Sequence, residues 1–193
     1  MIRVDVPPCG SVELSLIRID TVVSDVLLTD EERARAARFH FERDRIRYIA
    51  SHAALHELLG DREIAIAADG KPYLRDGSLH FNLSHSGDYA LIAIARDAEV
   101  GVDIEQHRER VSWNEMATRF FTQREVAVMR GEADFFRFWV MKEAVLKAAG
   151  KGLAGGLANV ECLTDLVTTP LGEFGVKVLD APAGYSAAVA LRR

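Results

Sequence analysis

Residues Phe138–Leu153 read FWVMKEAVLKAAGKGL. At about 100° per residue, Phe135, Phe138, Trp139, Val145, Leu146 and Ala149 gather on one face of a helix. Lys142 and Glu143 lie roughly 40–60° from Trp139 on the same wheel, inside the apolar stripe. Burying a carboxylate costs several kcal/mol unless a cation, a metal or good hydrogen bonds compensate it. One answer is local: Glu143 and Lys147 form an i,i+4 pair, a common and weak arrangement. The other is that distant residues deliver a partner, so the rest of the chain has to be read for one.

The chain has 193 residues, 49% of them hydrophobic, which suits one compact unit or two small halves packed together. A charged fraction of 27% argues against disorder. No apolar run approaches the ~20 residues that span a bilayer. The opening MIRVDVPPCG alternates and turns at Pro7-Pro8, unlike a signal peptide. The two cysteines, Cys9 and Cys162, lack metal-type spacing, and a reducing, cytoplasmic setting is expected. A net charge of −5 argues against a general nucleic-acid binder. Arg33, Arg35, Arg38, Arg43, Arg45 and Arg47 nevertheless crowd one helical segment. They form either a solvated face or an anion site for phosphates or an acidic partner.

Alternation in SVELSLIRI predicts a strand near Val12–Ile19. Thr29 followed by Glu32 predicts a capping box and a helix over Asp30–Arg38. A second helix is expected over Arg43–Leu59, stopping at Gly60. REIAIA reads as a strand ended by the turn DGKPYL. SLHFNLSHSGDYALIAIA reads as two strands about SHSGD, and EVGVDIE as another. Helices are expected at Trp113–Phe120, Thr122–Arg130 and Phe135–Ala149. NVECLT, FGVKVLDA and YSAAVALR read as a closing antiparallel set. The pattern is α+β in two similar rounds, divided near Asp97–Glu99 into residues 1–98 and 99–193.

In GVDIE, Asp103 and Glu105 are two apart on a strand, so both carboxylates face one side while Val102 and Ile104 face a core. Like charges on one face repel unless a cation sits between them, and oxygen donors with room for waters and phosphates suit Mg²⁺. Glu143 would complete a set of three; a solvated strand edge is the plainer alternative. FNLSHSGDY offers Ser84, His85 and Ser86, with Gly87 relaxing the turn. A Ser/His hydrolase lacks its G-x-S-x-G elbow here. Gly150, Gly152 and Gly155 match G-x-G-x-x-G but follow a helix rather than a strand, so Gly150 is better read as a helix stop. His52 and His56 are i,i+4 without the glutamate of H-E-x-x-H, so zinc is not expected.

GVDIE, RFFTQRE and FWVMKEAVLKAAGKGL together resemble the 4′-phosphopantetheinyl transferases, the Sfp-like group. Its signature G-(V/I)-D followed by W-x-x-K-E-x-x-x-K is matched at Gly101-Val102-Asp103 and at Trp139, Lys142, Glu143 and Lys147. Gly70–Pro72 and Phe81–Gly87 are similar to upstream motifs of that group. The resemblance runs from about Arg33 to Leu153. It implies two α+β halves related by a pseudo-two-fold axis with the site between them. It implies an enzyme of the holo-[acyl-carrier-protein] synthase type, serving fatty-acid, polyketide or nonribosomal-peptide pathways. The activity implied is Mg²⁺-dependent transfer of 4′-phosphopantetheine from coenzyme A to a serine of an apo acyl, peptidyl or aryl carrier protein, releasing 3′,5′-ADP. A soluble monomer without membrane or nucleic-acid partners is expected.

By that resemblance Asp103, Glu105 and Glu143 hold Mg²⁺. Lys147 assists the leaving group, and Glu125 matches the position of a candidate general base. Lys71, Pro72, Ser84 and His85 line the coenzyme A site, Lys142 is a phosphate or structural contact there, and Arg47 with Arg35 or Arg38 meets the 3′-phosphate. The basic positions near the N-terminus are arginines where the family has lysines, some out of register. Two rival readings are a Mg²⁺-dependent coenzyme A or nucleotide phosphohydrolase and a non-catalytic coenzyme A-binding module.

Overall fold

A computed structural model describes residues 1–20, 25–107, 112–151 and 156–193. Gly152, Leu153 and Gly155, part of the glycine pattern read above, lie outside the described residues.

The architecture is α+β, built around two four-stranded antiparallel sheets. Strands β1 (Ile2–Val6) and β2 (Gly10–Arg18) form a hairpin that precedes helices α1 (Asp30–Ala36) and α2 (Glu42–Leu59). A small hairpin, β3 (Ile64–Ile66) and β4 (Pro72–Leu74), leads to β5 (His80–Ser86) and β6 (Tyr89–Ala95). The first sheet runs β1-β2-β6-β5. Strand β7 (Val100–Gln106) opens the second round. Helices α3 (Trp113–Phe120), α4 (Gln123–Val128) and α5 (Glu132–Ala148) follow, then β8 (Leu166–Thr169), β9 (Gly172–Leu179) and β10 (Tyr185–Arg192). The second sheet runs β7-β10-β9-β8.

Residue period explains the layering. Along β6, Leu91, Ala93 and Ala95 pack with Val100, Val102 and Ile104 of β7 and with Val189 and Leu191 of β10. Ile92 and Ile94 face the other way, against Leu55 and Leu59 of α2. A strand buried on both faces reads as a continuous apolar run, as YALIAIA does. Helix α5 is buried nearly all round, from Phe135 to Ala148, because β7 and β10 cover one side and Phe121, Leu157 and Val160 the other.

The two sheets meet where β5 lies beside β7, and side chains make the join. Asn82 Oδ1 accepts from Val102 N–H at 2.9 Å, Ser84 Oγ from Ile104 N–H at 3.4 Å and Ser86 Oγ from Gln106 N–H at 3.1 Å. Each pair is separated by 20 residues, so the strands run parallel, with β5 side chains standing where carbonyls would.

Three expectations need correction. SHSGD is not all turn: Ser84, His85 and Ser86 end β5, paired with Leu91, Ala90 and Tyr89, and only Gly87 and Asp88 turn the chain. NVECLT is not a strand: its first residue, Asn159, ends a 3₁₀ turn that begins at Leu157, and the rest is irregular chain. The third strand of the closing set is instead β8, Leu166–Thr169, paired with β9. The turn DGKPYL also gives its last residues to β4. The capping boxes at Thr29–Glu32 and Thr122–Glu125 both form. Gly150 takes φ +70° just beyond α5, with Lys151 N–H reaching Leu146 O at 3.0 Å, the bond of a Schellman stop.

Candidate active site

Gly101 decides how close α5 comes to β7. A Cβ there would stand 2.1 Å from the Ala144 carbonyl oxygen and 2.3 Å from the Ala148 amide nitrogen. No other residue admits that approach. With Gly101 facing the helix, period two turns Asp103 and Glu105 to the same side. Glu143 and Lys147, one turn apart on α5, are thereby brought over them.

Lys147 Nζ donates to Asp103 Oδ1 at 2.6 Å and to Ser84 Oγ at 2.9 Å. Ser84 spends its own proton on Asp103 Oδ1 at 2.8 Å. The local Glu143–Lys147 pair expected from i,i+4 spacing is thus not what holds Lys147. Glu143 is buried, and its carboxyl is pushed up to about 7 by burial and then by the carboxylate of Asp103, with Glu105 adding to it and Lys147 opposing. Burial likewise raises Asp103, against the pull of Lys147 and Ser84.

These residues fit a hard divalent cation. Asp103 Oδ2 is buried and has no hydrogen-bond partner among the described residues. Such an orphan costs free energy unless something absent from the chain meets it. The donor set is all oxygen, as Mg²⁺ prefers, and the mutual repulsion felt at Glu143 is what a cation would relieve. As the side chains are placed, no group of three or more His, Cys, Asp or Glu among the described residues stands close enough to hold a metal ion, so the fit is one of donor chemistry and not of a ready-made site.

Beside the cluster lies a cavity of about 500 Å³, lined by residues that include Arg35, Arg47, Tyr48, His52, Pro72, Asn82, His85, Ser86 and Glu105. Arg47 donates to Asp88 Oδ1 at 2.6 Å, and its Nε is buried without a hydrogen-bond partner among the described residues. Arg35 stacks over the Tyr48 ring at 5.6 Å. His85 is held below the usual imidazole range by burial and by Lys147 and Arg47. Burial lowers His52 to about 4, so both rings are neutral near pH 7, and His52 Nδ1 is buried without a hydrogen-bond partner among the described residues.

Several expected site residues stand elsewhere. Glu125 and Lys142 are fully buried and pair with each other at 2.6 Å. Lys142 Nζ also donates to Leu157 O at 3.0 Å and to Val160 O, which uses all three of its protons. Glu125 accepts from Thr122 N–H at 2.9 Å and from Cys162 N–H at 2.8 Å. The pair meets three backbone groups of 157–162, the Leu157 and Val160 carbonyls and the Cys162 N–H, in place of a neighbouring strand. Neither residue reaches the cavity: Glu125 is not placed to take a proton from a substrate, nor Lys142 to contact one. Lys71 pairs with Glu99 and donates to Ala148 O at 3.0 Å, binding the C-terminal end of α5, and lines a separate pocket. Arg38 is exposed and lies outside the cavity lining.

The sequence reading missed the structural use of Asn82 and Ser86. Their signal was available: N-x-S-x-S in a strand places polar groups at period two on one edge.

With this geometry in hand, the comparisons are specific. The family model for the 4′-phosphopantetheinyl transferase superfamily matches residues 99–190, and that for the 4′-phosphopantetheinyl transferase N-terminal region matches residues 20–97. The chain is 35% identical to the 4′-phosphopantetheinyl transferase psf-1 of Bacillus pumilus, over 79% of this chain and 67% of that protein. It is 37% identical to the 4′-phosphopantetheinyl transferase HetI of Nostoc sp., over 66% of this chain and 61% of that one. It is 31% identical to an L-aminoadipate-semialdehyde dehydrogenase-phosphopantetheinyl transferase of Xenopus laevis, over 74% and 56% of the two chains. The matched region thus spans from just over half to two thirds of these relatives.

Proposed function

The chain belongs to the 4′-phosphopantetheinyl transferase superfamily, and on that premise we propose that it moves 4′-phosphopantetheine from coenzyme A to a serine hydroxyl of an apo carrier protein. The observation that carries the proposal is the Asp103–Lys147–Ser84 cluster beside an arginine-lined cavity, with Glu143 above it and an orphaned Asp103 oxygen within it. The serine oxygen would bond to the phosphorus that carries pantetheine and give up its proton to solvent. The bond from that phosphorus to the bridging oxygen would break, and 3′,5′-ADP would leave with that oxygen.

Asp103, Glu105 and Glu143 would hold Mg²⁺, which when bound supplies positive charge to the pyrophosphate. Lys147, fixed between Asp103 and Ser84, would place its ammonium where charge develops on the departing phosphate. Neutral His85 would offer a hydrogen bond to a phosphate oxygen, while Ser84, whose one proton goes to Asp103, would hold Asp103 and Lys147 in place. Arg47, which lines the cavity with Arg35, would meet the 3′-phosphate. We read the protein as a cytoplasmic monomer. The unpaired thiols of Cys9 and Cys162 suit a reducing compartment, and no described helix is long and apolar enough to cross a membrane.

The test is mass spectrometry of apo acyl, peptidyl and aryl carriers incubated with the protein, coenzyme A and Mg²⁺. A gain of one phosphopantetheine on the carrier serine is expected. Release of 3′,5′-ADP from coenzyme A without a carrier would make the protein a hydrolase instead.

The carboxylate cluster predicts a pH signature. Glu143 in the folded, metal-free protein takes its proton near 7, against an ordinary glutamate value of 4.5. Between these values the folded state holds more protons than the unfolded one, so stability is fully present below about 4.5 and falls as pH rises to about 7. A cation displaces that proton, so Mg²⁺ should bind more tightly as pH climbs through the same window. Thermal denaturation in EDTA at several pH values should show the decline in the parent and a flatter profile in Glu143→Gln. Identical profiles would remove Glu143 as its source.

A further inference from the structure

We propose that Ser86 is a positioning residue for Glu105, and through it for the divalent cation; this rests on the reading of Asp103, Glu105 and Glu143 as the cation's ligands. Ser86 is 5% exposed, on the last position of β5. A hydroxyl has one proton and two lone pairs. The proton goes to Glu105 Oε2 at 2.8 Å, and one lone pair takes Gln106 N–H at 3.1 Å. The backbone amide fixes where the hydroxyl oxygen stands, which leaves its proton aimed at the carboxylate.

The same construction recurs two residues earlier. Ser84 gives its proton to Asp103 and accepts from Ile104 N–H. Each carboxylate of β7 is thus matched by a β5 serine that is itself anchored on the next β7 amide. A glutamate has one more torsion than an aspartate, so Glu105 has more freedom to lose before it can ligate. Ser86 removes part of that freedom before any ligand arrives. The halves of the molecule and the carboxylates are joined by the same atoms, so drawing β5 away from β7 would also take Ser86 from Glu105.

Outer hydrogen bonds of this kind typically change metal affinity by about 10–100-fold. The experiment is a titration of the full chain with Mn²⁺ in the presence of coenzyme A, with free Mn²⁺ read by electron paramagnetic resonance. Thermal midpoints are recorded alongside. Ser86→Ala should bind Mn²⁺ about 10–100-fold more weakly. In a Glu105→Gln background the same change should bring no further loss. Ser86→Cys keeps the volume with a poor donor and should show the same weakening, which keeps the test open if Ser86→Ala does not fold. A lower thermal midpoint with unchanged Mn²⁺ affinity would reduce Ser86 to a structural rung and overturn the proposal alone. A parent protein that binds no Mn²⁺ would bring down the carboxylate reading itself, and this proposal with it.

Discussion

Glu125→Ala should cost the protein about 3–5 kcal/mol of folding free energy, because it leaves the Lys142 ammonium buried without its counter-charge. Typical domains have about 5–15 kcal/mol in all, so the loss would be a large share of stability. Both side chains are wholly inside, and between them they serve three backbone groups of the 157–162 segment. Urea denaturation provides the measurement. Glu125→Leu combined with Lys142→Met should lose much less than Glu125→Ala alone, since no lone charge remains. A single-variant loss below about 1 kcal/mol, the range of exposed pairs, would show that the pair is not sealed from water. The result also bears on chemistry. A residue that holds the core can reduce transfer by unfolding the protein, so transfer rates of Glu125 variants are meaningful only per folded molecule.

Asp103→Ala should reduce carrier modification by about 10²–10³-fold or more, the scale seen when one preorganised charge-stabilising group is removed. Asp103 is the centre of the cluster: it accepts from Lys147 and Ser84 through one oxygen and leaves the other unpartnered among the described residues. Its removal would take away a proposed cation ligand and also free Lys147 to swing. Asp103→Asn separates these effects, because it keeps the shape while discarding the charge. Holo-carrier formation is the readout, with circular dichroism to check the fold. Transfer within tenfold of the parent in both variants would end the three-carboxylate reading.

Much of this was legible before any coordinates. Period two in GVDIE places Asp103 and Glu105 on one side, and the apolar wheel around Trp139 marks α5 as central. Lys142 was visible as a buried charge, but its partners were not. Three acceptors surround it, and two are backbone carbonyls of Leu157 and Val160, which carry no side-chain signature. NVECLT misled for a related reason. Alternation reports which side chains are buried and is silent on where the backbone groups find partners. Val160 and Cys162 are buried as a strand's would be, while their backbone groups are met by Lys142 and Glu125. Lys71 failed differently: a lysine in a turn motif gives no hint that Glu99 waits across the chain.

The side-chain join between β5 and β7 sorts the amides of β7 by parity. Those of Val102, Ile104 and Gln106 are held by Asn82, Ser84 and Ser86. Successive amides of a strand point to opposite edges, so those of Gly101, Asp103 and Glu105 turn toward β10. A parting of the two sheets that left each intact would open the even set to solvent deuterium and spare the odd one. One strand therefore carries an internal record of whether the sheets are closed, written in alternate exchange rates along residues that also bear the proposed cation ligands.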